Sequence, residues 1–245
     1  MKIAYCFLGH VRTYKQTYQN FFNNVFNQAP GDIFIHTWSE TSNTNDSWWV
    51  KMEGNNKLLE EARKPINQEE IIRIYKPKDM LVEHQRSVLP IPGWNRGHNP
   101  YCLKIAFESC RKSVNLAKKY GPYDRIFVCR MDLNYISKFD PWEYQSDRLY
   151  VSPHSQFLDQ GACSDIWEHG TQDLIDKVAD FYWHIDHDVF MNPDKNPHTE
   201  FIYHRYLKKL NIPISVSKLN FQVIRMFGMP LLQFNLSYRY LGTAN

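Results

Sequence analysis

Long apolar runs, blocks of like charge and closely paired cysteines are all missing from this sequence of 245 residues. No apolar stretch approaches the ~20 residues that a membrane-spanning helix needs. The formal net charge is only +3, and no charged block is long enough for a nucleic-acid-binding arm. The first strand pattern begins at Lys2, which leaves no room for a signal peptide. We therefore expect a cytoplasmic chain without a nucleic-acid partner, and leave peripheral attachment to a membrane open.

The five cysteines form no Cys-x-x-Cys pair, which argues against a zinc ribbon or a dithiol redox motif. Cys6 and Cys129 lie inside apolar strand patterns, and Cys110 lies on the apolar face of a predicted helix. Small buried thiols explain such positions better than disulfides do. The cysteines are therefore predicted to be reduced, as expected in the cytosol.

Strand and helix patterns alternate along the chain, which predicts an α/β fold. Residues Lys2 to Leu8 and Ile126 to Cys129 are nearly continuous apolar runs, typical of parallel strands buried on both faces. Leu103, Phe107 and Cys110 begin a stripe at helical spacing in a helix expected over 100–120. The remaining elements expected are helices over 14–27, 68–75 (capped by Asn67), 171–184 and 199–210, and strands over 33–38, 80–84, 148–152, 166–168, 212–217 and 221–227.

The loop after the first strand is a candidate phosphate site. Gly9 permits a tight turn, Thr13 is a suitable N-cap for the next helix, and Arg12 would stand beside that helix N-terminus with His10. A plain β–α turn with a surface arginine is the alternative. No Gly-x-Gly-x-x-Gly follows the first strand, which argues against a dinucleotide-dependent oxidoreductase.

The second candidate site follows the buried run at Ile126–Cys129. Arg130 and Asp132 stand where that strand ends, and open α/β sheets place ligands at the carboxyl ends of their strands. Asp132 can equally be a turn residue or an ion-pair partner of Arg130. A long polar segment over 39–66 carries Trp48 and Trp49, which would either anchor the loop in the core or stack on a sugar.

Three segments together resemble GT-A nucleotide-sugar glycosyltransferases, particularly small bacterial and viral enzymes of capsule, lipopolysaccharide or surface-glycan synthesis. They are Lys2 to Thr13, Gly31 to Trp38 and Tyr123 to Leu133. The resemblance implies a mostly parallel, mixed Rossmann-like sheet flanked by helices in a single domain. Residues 1–135 would bind the nucleotide-sugar, and residues 136–245 would bind the acceptor and supply catalytic groups.

The resemblance also implies an Asp-x-Asp motif that holds a divalent ion on the donor diphosphate. Here the motif reads Arg130-Met131-Asp132, so its first acid is an arginine. Asp132 alone could still hold Mn²⁺ or Mg²⁺ with the help of diphosphate oxygens, or Arg130 could neutralise the diphosphate directly. Related folds place a catalytic base at a helix start in the second half, which indicates Glu200, with Asp159 and Asp165 as rivals.

The expected function is transfer of a hexose from a nucleotide diphosphate to a glycan or lipid-linked acceptor. Gly9, His10, Arg12, Thr13, Arg130 and Asp132 would bind the donor, and Glu200 or Asp159 would act as the base. Two alternatives stay open. One is a nucleotidyltransferase acting on nucleotide-sugars, and the other is a non-catalytic glycan-binding module that uses Trp48, Trp49 and Trp94.

Overall fold

A computed structural model describes residues 1–42, 56–86, 100–153, 161–164, 166–191 and 199–224. A seven-stranded mixed sheet lies at its centre, in the order β3-β2-β1-β4-β7-β6-β8. The strands are β1 Ile3–Leu8, β2 Asp32–Trp38, β3 Asp79–Glu83, β4 Arg125–Arg130, β5 Leu133–Tyr135, β6 Leu149–Val151, β7 Glu168–Gly170, β8 Ile214–Val216 and β9 Phe221–Val223. The α/β class and the mixed, mostly parallel sheet are therefore confirmed.

The first four strands of that order are parallel. β1 pairs with β2 on one side and with β4 on the other, and β2 pairs with β3. β7 is antiparallel to both β4 and β6, whereas β6 and β8 are parallel. Strands from both halves of the chain thus join one sheet. β5 and β9 form a separate antiparallel pair.

Helices cover both faces of the sheet. They are α1 Tyr14–Phe21, which continues as a π-helical turn Phe22–Phe26, then α2 Asn56–Arg63, α3 Gln68–Tyr75, α4 Pro100–Lys118, α5 Gln172–Met191 and α6 Thr199–Lys209, with a 3₁₀ turn at Pro141–Glu143. None of the helices in these ranges is long and apolar enough to cross a membrane.

Alternation along β1 divides the core into two layers. Tyr5 and Phe7 pack with Phe21 of α1 and Tyr75 of α3 on one face. Cys6 points to the other face, where it packs with residues of α4, α5 and α6. Both layers are possible because every residue of β1 is buried, as a continuous apolar run predicts.

Several elements differ from the sequence predictions. The segment 39–66 was expected to lack regular structure, but α2 lies within it and buries Ala62 completely. The helix predicted over 171–184 continues to Met191. The short strand predicted over 166–168 lies at Glu168–Gly170 instead, where buried Glu168 accepts a hydrogen bond from the Tyr203 hydroxyl. The predicted α3 and its Asn67 cap are confirmed, since Asn67 Oδ1 accepts from Glu70 N at 3.0 Å.

The prediction of reduced cysteines is also confirmed. No disulfide joins the five cysteines, of which four are buried and Cys102 is partly buried. Burial raises the pKa of Cys129 to about 12, so this thiol stays protonated at neutral pH. Cys129 is therefore not suited to act as a thiolate nucleophile or as a metal ligand.

Candidate functional site

The carboxyl ends of β1 and β4 lie side by side in the sheet. The polypeptide passes from β1 through α1 to β2, which is the neighbour of β1 on one side in the sheet. β4 is the neighbour of β1 on the other side. α1 and α4 pack on opposite faces, so the direction of winding changes between β1 and β4. Such switch points are where open α/β sheets bind ligands. The two candidate segments from the sequence, one after each strand, meet here.

Two arginines share one buried carboxylate at this switch point. Arg130 Nε donates to Asp132 Oδ1 at 2.9 Å and its Nη2 donates to Oδ2 at 2.5 Å. Arg12 Nη1 donates to the same Oδ2 at 2.9 Å. The Asp132 side chain is 0% exposed, and each arginine side chain is 18% exposed. The acid is thus the interior anchor of the cluster, and the guanidinium groups form its outer surface.

Among the described residues, two guanidinium groups of this cluster stand against one carboxylate. Burial and the neighbouring charge of Arg130 lower the pKa of Arg12, and Asp132 opposes that shift. Arginine nonetheless remains charged at neutral pH. Arg12 Nε is buried and has no hydrogen-bond partner within the described ranges. An anion with several acceptor oxygens would pair with the exposed parts of both guanidinium groups.

The turn that carries Arg12 has an uncommon backbone conformation. Gly9 has φ 81° and Arg12 has φ 43°, in the left-handed region that side chains other than glycine avoid. Arg12 N donates to Thr41 O at 3.0 Å, which fixes the end of the turn. Residues held in such conformations cluster at functional sites, which agrees with a binding role for Arg12.

Several donors of the Gly9–Thr13 turn are already bonded within the protein. The N–H groups of Gly9 and Arg12 are not free for a ligand, because Gly9 N donates to Ser109 Oγ at 2.7 Å and Arg12 N to Thr41 O. Thr13 stands at the N-cap position of α1 without capping it. Its hydroxyl donates to Ile224 O at 2.6 Å instead. The donors left for a ligand in this turn include the exposed part of the Arg12 side chain.

His10 is buried in the turn between β1 and α1. Its Nδ1 lies 3.0 Å from Glu40 O and its Nε2 lies 2.5 Å from Gln85 Oε1. Burial, followed by the charge of Arg12, lowers the pKa of His10 to about 4. His10 is therefore neutral at physiological pH and leaves the positive charge of the site to the arginines.

The divalent ion implied by the sequence resemblance does not fit this donor set. Both carboxylate oxygens of Asp132 already accept hydrogen bonds from guanidinium groups. The described part of the chain holds no group of three or more His, Cys, Asp or Glu residues suited to a metal. An ion at Asp132 would have to displace an arginine first. The residues fit the alternative from the sequence, in which arginine contacts the diphosphate itself.

Glu200 is the candidate base that the structure describes. Glu200 lies in the first turn of α6, where the helix dipole stabilises a carboxylate. Its Oε2 accepts from Thr199 Oγ1 at 2.8 Å, and its backbone carbonyl accepts from Cys163 N at 3.0 Å. Asp159 and Asp165, like the three tryptophans considered for sugar stacking, lie outside the described residues.

Sequence reasoning missed a pair of buried polar residues next to the Gly9–Arg12 turn. Ser109 of α4 and His36 of β2 are both 0% exposed, and Ser109 Oγ contacts Gly9. The available signals were a histidine inside the apolar run of β2 and a serine next to the apolar stripe of α4. Neither signal indicates a partner without the fold.

No protein-family model matches the chain, and no curated protein matches it at a significant level. The function is therefore inferred from the residues and their geometry.

Proposed function

We propose that the chain is a glycosyltransferase of the GT-A type that transfers a hexose from a nucleotide diphosphate to a glycan or lipid-linked acceptor. The strongest support is the pair of guanidinium groups that Asp132 holds at the switch point of the sheet. Planar arginines match phosphate oxygens better than any other side chain. The three sequence segments that resemble such enzymes include both arginines.

The reaction needs a stabilised leaving group. The bond from the anomeric carbon to the β-phosphate oxygen breaks, and the nucleoside diphosphate leaves with the bonding electrons. Arg12 and Arg130 would neutralise the charge that develops on this diphosphate. Asp132 would act indirectly, because it holds both guanidinium groups in fixed orientations. No step in this scheme uses a metal ion.

The acceptor hydroxyl must lose a proton while its oxygen bonds to the anomeric carbon. In an inverting reaction a carboxylate takes this proton, and Glu200 and Asp159 are the candidates. Glu200 offers a carboxylate that is partly exposed in the described part of the second half. A retaining reaction would not need this base.

The test is release of nucleoside diphosphate from a panel of UDP-, GDP-, CDP- and dTDP-sugars, with and without Mn²⁺. We expect one donor class to be turned over in the presence of EDTA, and Arg130→Gln to lower kcat/KM at least a hundredfold. Lack of turnover of every donor, with any acceptor tested, would count against the proposal. Nucleotide release that requires Mn²⁺ would instead restore the metal hypothesis at Asp132.

A second variant addresses the base. Glu200→Gln keeps the shape of the side chain and its contact with Thr199 but removes the proton acceptor. If Glu200 is the base, kcat falls by 10²–10⁴-fold while donor affinity stays unchanged, as measured by initial rates and by titration with the nucleoside diphosphate. Unchanged kcat assigns the base to another residue. Lys209→Ala, at an exposed position at the other end of α6, is the control.

A further inference from the structure

A continuous chain of polar contacts runs behind the turn that carries Arg12. Ser109 Oγ lies 2.7 Å from Gly9 N and 2.6 Å from His36 Nδ1. His36 Nε2 lies 2.9 Å from Glu83 Oε2. This series of hydrogen bonds therefore links the end of β3, through β2 and α4, to the first residue of the Gly9–Arg12 turn.

Each hydrogen bond in this chain has one direction. Glu83 is a carboxylate and can only accept, so His36 Nε2 carries the hydrogen. Burial lowers the pKa of His36, which keeps the ring neutral and leaves Nδ1 as an acceptor. The Ser109 hydroxyl must then donate to Nδ1, and its lone pairs accept the N–H of Gly9.

Charged neighbours hold the outer end of the chain in place. Lys112 Nζ lies 2.5 Å from Glu83 Oε2 and 2.8 Å from Glu108 Oε1. The hydrogen bond from Lys112 is the largest of the influences that lower the pKa of Glu83. Glu83 therefore stays ionised, so the acceptor that sets the tautomer of His36 is permanent near neutral pH.

We propose that Ser109, oriented by His36 and Glu83, is a positioning residue that holds the Gly9–Arg12 turn and thereby aims Arg12 at a bound diphosphate. This inference rests on the function proposed above. Arg12 has φ 43°, and a residue other than glycine keeps such a conformation only where the surroundings impose it. Ser109 holds the start of the turn, and the Thr41 carbonyl holds its end.

Ser109→Ala tests this role, with Ser113→Ala as the matched control. Ser113 is equally buried one turn further along α4, and its hydroxyl donates to Cys110 O of the same helix at 2.9 Å. The probes are inorganic pyrophosphate and UDP, titrated calorimetrically into the full chain. Loss of the Ser109 hydroxyl is expected to weaken pyrophosphate binding about tenfold, whereas Ser113→Ala stays within about twofold.

A ligand-free measurement separates this inference from the proposed function. Hydrogen exchange of the Gly9 amide is expected to speed up in Ser109→Ala and to stay at the wild-type rate in Ser113→Ala. If the wild-type chain binds neither probe, the proposed function fails, and the exchange of Gly9 still decides whether Ser109 holds the turn. Wild-type exchange in Ser109→Ala, or unchanged pyrophosphate affinity in a chain that binds it, would overturn the inference.

Two variants of His36 test the donor and acceptor roles assigned to these hydrogen bonds. Asparagine places an acceptor near the position of Nδ1, facing Ser109, whereas glutamine places its amide near the position of Nε2, facing Glu83. Because the hydroxyl of Ser109 needs an acceptor, His36→Asn is expected to bind pyrophosphate more tightly than His36→Gln. Equal affinities or the reverse order would contradict the assigned directions.

Discussion

At the scale of single residues, the candidate site depends on one buried negative charge, the carboxylate of Asp132. Asp132 is fully buried, and its effect is exerted through Arg12 and Arg130. The acid expected from sequence to face a diphosphate therefore faces the interior, where it pairs with both arginines. This exchange changes what a mutation at Asp132 should do.

Asp132→Ala is expected to destabilise the fold as well as to weaken diphosphate binding. Removing one partner of a buried ion pair costs about 3–5 kcal/mol, and here it also leaves two arginines that repel each other. The free energy of unfolding, measured by urea denaturation, should fall accordingly. Asp147→Ala is the control, since Asp147 is 67% exposed in its ion pair with Arg148 and such pairs contribute little. An unchanged urea midpoint in Asp132→Ala would contradict the buried arrangement.

His10 should make the fold sensitive to acid. Its pKa is about 4 in the folded chain, against an ordinary value of 6.5. As the pH falls, the unfolded chain binds this proton first, so stability that is present above pH 6.5 is lost down to about pH 4. The loss amounts to roughly 3 kcal/mol. Denaturation at several pH values should show a shallower loss for His10→Gln than for the wild type, and parallel profiles would contradict the depressed pKa.

At the scale of elements, apolar periodicity predicted most strands and helices but not their partners. The buried runs of β1 and β4 and the stripe of α4 were recognisable because each satisfies its own pattern. α2 was missed because most of its residues are polar. Its buried residue Ala62 becomes apparent only in the folded chain. β7 was displaced because its polar residues are buried with specific partners. One is His169, whose Nδ1 lies 2.9 Å from Arg125 Nη1.

The cap of α3 offers a test at this scale. Asn67→Ala removes the acceptor for Glu70 N and is expected to lower the free energy of unfolding by about 1 kcal/mol. Asn67→Asp keeps an acceptor and should restore most of that stability. Pyrophosphate affinity should stay the same in both variants, because the Asn67 side chain bonds the backbone of Glu70 and neither of the two arginines. Equal destabilisation by alanine and aspartate would show that the cap does not act through this hydrogen bond.

At the scale of the whole molecule, the order of strands brings the two halves of the site together. Arg12 and Asp132 are 120 residues apart in sequence, and they meet because β1 and β4 are neighbours in the sheet. The sequence indicated both segments separately, since each follows a buried strand. It could not show that the acid lies beneath two arginines, because that depends on side-chain geometry at the strand ends.

The measurement that most directly tests the arginine cluster is thermal unfolding with UDP, GDP, CDP and dTDP in the presence of EDTA. We predict that at least one nucleoside diphosphate raises the Tm without metal, that its monophosphate does so less, and that Arg12→Gln removes the difference between the two. If no diphosphate raises the Tm, or if Arg12→Gln responds as the wild type does, the cluster does not bind a diphosphate.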